Sequence, residues 1–164
     1  SSGASTYGRG LEPVVPVRSL DQIFFQAEMM HFVLKEAVQR WALASDGMVK
    51  HVREGFVPWR VLSGDASRAA GVKWGAVKKS KRAIEKVLRS YSGDVSKLVD
   101  VCRQTLVFNS VAELDECLRV VRSDQAVQIV RVKNRLDIDF NSAASAGYRD
   151  VALNIRLATP LTTA

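Results

Sequence analysis

From Ser19 onward the apolar residues step forward by four and three positions alternately, through Ile23, Ala27, Met30, Leu34, Ala37 and Trp41. That spacing holds one stripe on one face of a helix and predicts a long amphipathic helix reaching about Ala44. Ser19 and Gln22 stand at capping-box spacing at its start. Phe25, Met29 and Phe32 widen the apolar surface, which predicts that this helix meets more than one neighbour. The helix breaks at Ser45-Asp46-Gly47. Beyond Pro58-Trp59 and a link rich in Gly, Ser and Ala, a second helix is predicted over 77–91, with Val77, Ile84, Leu88 and Tyr91 on one face.

The periodicity then changes. Val101 to Phe108 reads as a strand, and Ser110 and Glu113 form a second capping box ahead of a helix that turns Leu114, Cys117, Leu118 and Val121 inward. Val127 to Val132 is the next strand. A loop with Asn141, Ser142, Ser145 and Gly147 leads to the last one, Tyr148 to Leu157. There Val151, Leu153, Ile155 and Leu157 alternate with Ala152, Asn154 and Arg156, so that one face packs and the other is available. The expected fold class is α/β in the α+β sense: a small mixed β-sheet flanked by helices, with a long N-terminal amphipathic helix. Residues 1–18, rich in Ser, Gly and Pro, read as an extended arm, 19–157 as one domain and 158–164 as a tail.

Composition changes this picture little, because 47% hydrophobic and 25% charged residues are ordinary for a soluble domain. No apolar run approaches the roughly 20 residues that cross a bilayer. The opening Ser1, in place of Met, reads as a processed, trimmed or tagged product. Charge is more informative. A net +7 favours anionic partners: nucleotides, RNA, acidic proteins or anionic lipid. The helix over 77–91 carries Lys78, Lys79, Lys81, Arg82, Lys86 and Arg89 against the single acid Glu85, which reads equally as a solvated basic face and as a phosphate-binding surface. Cys102 and Cys117 read as reduced core thiols, which points to an intracellular reducing compartment, with mitochondrion or plastid favoured over cytosol. His31 and His51 have no partner at a metal-ligand spacing and read as surface or packing residues.

Three stretches in order resemble the synthetase domain of the RelA/SpoT nucleotidyltransferases, in a divergent eukaryotic-type branch. They are Lys79-Ser80-Lys81-Arg82-Ala83-Ile84-Glu85-Lys86, Leu98-Val99-Asp100 with the strand behind it, and Gly147-Tyr148-Arg149-Asp150-Val151-Ala152. The run Val130-Arg131-Val132-Lys133-Asn134-Arg135 is similar to the segment ahead of the third motif. The resemblance covers roughly residues 75–157. It implies transfer of pyrophosphate from ATP to GDP or GTP with magnesium, Lys79 gripping phosphate, Asp100 holding the metal and Tyr148 stacking on guanine.

The same comparison implies that the machinery is eroded. Val77 and Thr105 stand where the family has arginines, Asp150 where it has a serine and Ala152 where it has a histidine. No counterpart of the family's Glu-x-Gln strand follows the Tyr motif. Phosphoryl transfer rests on positioning and charge neutralisation, so each lost clamp counts against turnover. The expectation is a degenerate, non-catalytic RelA/SpoT-like domain, with no catalytic residue assigned, that serves as a binding or structural subunit of a larger assembly. Its partners would be proteins of that assembly, with RNA allowed by charge alone. The alternatives are an active pyrophosphokinase that borrows Asp137, Asp139 or Asp150, and a purine-nucleotide sensor whose pocket uses Lys79, Lys86, Arg131 and Tyr148. No cofactor is required, and magnesium enters only if nucleotide binding is retained, at Asp100. Tyr148 also reads as a half-buried strand residue, and Arg149 and Asp150 as cross-strand partners.

Overall fold

A computed structural model of the chain describes residues 19–78, 80–95, 98, 101–145 and 147–158. The fold class is α+β: a long N-terminal helix, several shorter helices and two small antiparallel sheets. The described residues gather into two compact units. One takes the chain up to Phe32 with Ala76–Arg103, and the other takes Val33–Gly75 with Gln104 onward. Among the described residues no helix is long and apolar enough to cross a membrane.

Helix α1, Leu20–Ser45, begins with the expected box. The Gln22 N–H donates to Ser19 Oγ (3.2 Å), and the Ser19 N–H donates to Gln22 Oε1 (3.3 Å). Its end is closed by the Gly47 N–H on the Ala42 carbonyl (2.9 Å), with Asp46 in the left-handed region at φ 54°. A Cβ on Gly47 would lie 3.1 Å from the Ala42 Cα, so glycine is what lets the chain fold back this tightly.

In the first unit, Ile23 and Ala27 of α1 share a core with Ala83 and Val87 of helix α4 (Ser80–Tyr91) and with Leu98 and Val101. The buried stripe of α4 therefore differs from the expected one. Ile84 and Leu88 are exposed, while Val77 and Tyr91 are half-buried at its margin. Ala83 and Val87 lie about 100° around the helix from Ile84 and Leu88, and Ala83, fully buried, admits close approach that a larger residue would block.

The second unit is built on two hairpins. Strands β1 (Met48–His51) and β2 (Gly55–Pro58) pair antiparallel, with Met48 opposite Pro58 and His51 opposite Gly55. Two short helices follow, α2 (Trp59–Leu62) and α3 (Ala66–Ala69). Helix α5, Val111–Ser123, is capped by Ser110 Oγ accepting from the Glu113 N–H (3.2 Å), and it buries Cys117 and Val121. It leads into the ribbon of β3 (Val127–Asn134) and β4 (Val151–Leu157). One core holds Ala37, Val38 and Trp41 of α1 with Cys117, Val121 and the inner ribbon residues Ile129, Leu153, Ile155 and Leu157. A second holds Ala42, Val49, Trp59 and Leu62, and Trp74 and Leu106 pack on both.

The strand expected over Val101–Phe108 is not formed. The segment makes one bridge, Val107 to Met48, with backbone bonds of 2.8 and 3.0 Å. Nearby, the Gln104 side chain takes the Gly75 N–H (2.8 Å) and carbonyl (3.3 Å), so a side chain satisfies backbone groups that a ladder would otherwise pair. The sheet is consequently two antiparallel pairs rather than one mixed layer.

His51 is a packing residue, as its lack of a ligand partner suggested. It is buried, and its Nδ1 accepts from the N–H groups of Arg53 (3.3 Å) and Glu54 (3.2 Å). The proton therefore sits on Nε2, which donates to the Arg68 carbonyl at 3.1 Å. A Cβ on Gly71 would fall 2.8 Å from the His51 Cδ2 and closer still to Nε2. Gly71→Ala is expected to destabilise this unit by about 1–3 kcal/mol through overpacking against a ring that three hydrogen bonds hold in place. In denaturant titrations the double variant Gly71→Ala/His51→Ala should lose less than the sum of the single variants. Strict additivity would show that the two residues do not meet.

Candidate functional site

The ribbon β3–β4 owes its shape to an irregular register. Val127 opposes Leu157, Gln128 opposes Arg156 and Ile129 opposes Ile155; then Arg131, not Val130, opposes Asn154, followed by Val132 with Leu153 and Lys133 with Ala152. Two residues of β3 thus face a single step of β4, which is a bulge at Val130. Beyond Asn134 the pairing continues through the Arg135 N–H on the Asp150 carbonyl (2.8 Å), and the Arg135 guanidinium is ion-paired with the Asp150 carboxylate.

Of the residues that the sequence nominates, Arg131 lies exposed on β3 and Tyr148 lies three residues before β4, 60% exposed and next to Gly147 at φ 81°. Both belong to the second unit. Lys86 is on α4 in the first unit, its side chain outside the described residues, as are Lys79 and Asp100 altogether. The ribbon adds Lys133 and Arg156, both exposed, which sequence reasoning did not nominate as site residues. Alternation in β4 already pointed Arg156 outward. Lys133 needed the bulge.

The connection from β3 to β4 is held by its own polar side chains. Asn134 Oδ1 accepts from the Leu136 N–H, Asp137 Oδ1 from the Asp139 N–H and Asn141 Oδ1 from the Ala143 N–H, each at 3.0 Å. These are local side-chain turns, so Asp137 is engaged in backbone shaping and Asp150 in an ion pair. Among the described residues no group of three or more His, Cys, Asp or Glu is placed to hold a metal ion.

Elsewhere the chemistry is that of packing. Burial pushes the Cys117 thiol up, against an opposing hydrogen bond from Ser45. Burial also raises Cys102, with the Glu28 charge adding to it. Both thiols are free, and burial disfavours the thiolate form of each. No protein-family model, curated protein or solved structure matches the chain.

Proposed function

We propose that the chain acts by binding, as a non-catalytic RelA/SpoT-like subunit of a larger assembly. The observation that carries this reading is the second apolar face of α1. Ile23 and Ala27 are buried, and roughly half a turn around the same helix Phe25 (70% exposed), Met29 and Phe32 (66% exposed) form a stripe at spacings of four and three. The sequence asks for two neighbours on this helix. Among the described residues these three side chains remain open, and an apolar stripe of this kind is characteristic of surfaces that another protein covers.

The site residues support the non-catalytic half of the reading. Val77 and Ala152 offer no side-chain donor to a phosphate, Thr105 offers a hydroxyl without the charge of an arginine, and Asp150 and Asp137 are already engaged within the ribbon and its loop. The test is pyrophosphate transfer from ATP to GDP or GTP with magnesium, using the purified protein. The expected result is no product above the protein-free control. Turnover that disappears in Tyr148→Ala would overturn the proposal.

One observation favours a second reading, in which a purine nucleotide is bound without being turned over. The Tyr148 ring is largely exposed beside a glycine that leaves room for a base, in the same unit as the exposed Arg131. On this reading calorimetry would register ATP or GTP binding that Tyr148→Ala removes with the fold intact.

A further inference from the structure

We propose that the outer face of the β3–β4 ribbon binds the phosphodiester backbone of a nucleic acid. This rests on the reading that the chain works by binding, and it assigns that binding a second partner chemistry, separate from the apolar face of α1.

The bulge at Val130 decides which side chains this face presents. Leu153, Ile155 and Leu157 of β4 pack into the core, so Asn154 and Arg156 face outward and are exposed. Directly opposed residues share a face, so Gln128 and Arg131 lie outward with Arg156 and Asn154, and Lys133 lies outward with Ala152. Ile129 is on the inner face. In a regular strand the next outward positions would be Val130 and Val132, and Arg131 and Lys133 would point at the core. The extra residue at the bulge reverses this phase and brings Arg131, Lys133 and Arg156 onto one solvent face.

That face has a uniform chemistry. Gln128, Arg131, Lys133, Asn154 and Arg156 are all exposed, all offer N–H donors, and no carboxylate stands among them. Among the described residues none of the three cations has a carboxylate ion-pair partner. The next cation, Arg135 just past the end of β3, is neutralised by Asp150 and closes the patch at that end. From the Gln128–Arg156 step to the Lys133–Ala152 step, the patch runs over four residues of β4, about 13 Å. Same-strand neighbours on the face are separated by about 7 Å.

Charges spread along an open ribbon suit successive phosphates of a polymer better than one polyphosphate held in a concavity. Guanidinium forks that take phosphate oxygens, one ammonium, and amides able to reach phosphate or sugar make up the side-chain set of backbone contacts. A two-stranded ribbon also has the width to enter a nucleic-acid groove.

The test is fluorescence anisotropy on the whole protein with labelled single-stranded RNA, duplex RNA and duplex DNA of about 20 nucleotides per strand, across a salt series. Two variants remove the same charge: Arg131→Gln/Lys133→Gln/Arg156→Gln on the ribbon, and Lys50→Gln/Arg53→Gln/Lys73→Gln at exposed positions elsewhere. The ribbon variant should keep its circular dichroism, bind at least about tenfold more weakly near 0.1 M salt, and flatten the salt slope by about 2 to 3. The second variant should retain most of the affinity, and the three probes identify which nucleic acid is preferred. The proposal is overturned if both variants weaken equally, if no probe binds at about 50 mM salt, or if polyglutamate competes as well as RNA at equal charge, which would mark the patch as a site for acidic protein. None of these outcomes touches the apolar face of α1, whose role is tested separately through assembly.

Discussion

Trp41→Ala is expected to destabilise the second unit by about 3–5 kcal/mol, measured as a fall in the denaturant midpoint. The indole is buried between α1, α5 and the ribbon, so truncation opens a cavity that facing residues can only partly fill. It also has a polar partner. Trp41 Nε1–H donates to Asp124 Oδ2 (2.9 Å), and the other oxygen of that carboxylate accepts from the Ala126 N–H (3.0 Å) at the end of α5. Trp41→Phe separates the contributions. It keeps most of the apolar volume, loses the hydrogen bond, and should cost about 1–2 kcal/mol.

The two variants also differ from the native chain in their response to acid. Burial pushes the Asp124 carboxyl up, but the Trp41 indole, the Ala126 N–H and the Arg40 guanidinium together outweigh it and hold the group below the usual carboxylate range. A carboxylate depressed in the folded state stabilises fully above its unfolded value, near 3.9, and that contribution is lost as pH falls through the folded value. Trp41→Phe should therefore lose less stability than the native chain between about pH 7 and about pH 3. An equal loss would mean that the indole contributes nothing to holding Asp124 ionised.

Leu62→Ala is the second large effect, expected at about 3–5 kcal/mol. Leu62 has no exposed surface and packs with Ala42, Val49 and Trp59. The Trp59 ring is itself braced edge-to-face on Trp74 at 5.3 Å, which limits how far the pocket can collapse. Leu62→Met, which conserves volume, should cost under about 1.5 kcal/mol. A Leu62→Ala variant within about 1 kcal/mol of native would contradict the assignment of this cluster as core.

The parts of the fold that were legible in sequence are those with local signals. Helices α1 and α5 announce themselves by capping residues and by apolar spacing, and the outward Asn154 and Arg156 by alternation. The β1–β2 hairpin has four-residue strands, too short for a period to emerge, and its connection is stabilised by an imidazole rather than by a turn dipeptide. Val101–Phe108 has strand composition, but its one bridge is at Val107, and the Val101 carbonyl accepts from the Lys78 N–H (2.8 Å) outside any ladder. On α4, treating Ile84 and Leu88 as the apolar face overlooked how well Ala83 serves a close contact. The ribbon's cationic face was hidden for a related reason. Simple alternation turns Arg131 and Lys133 inward, and only the pairing register reveals the extra residue. Of the nominated residues, Arg131 and Tyr148 stand exposed in the second unit, whereas Lys79 and Asp100 lie outside the described residues.

The most direct measurement is the sedimentation of the natural protein, released gently from its source and followed with an antibody, beside a Phe25→Ser/Phe32→Ser variant expressed in its place. The natural protein is expected to sediment in a body much heavier than its own chain, and the variant, folded by circular dichroism, is expected to shift to light fractions. A natural protein that sediments alone, or a variant that stays in the heavy body, would contradict the claim that the open face of α1 joins this chain to a larger assembly.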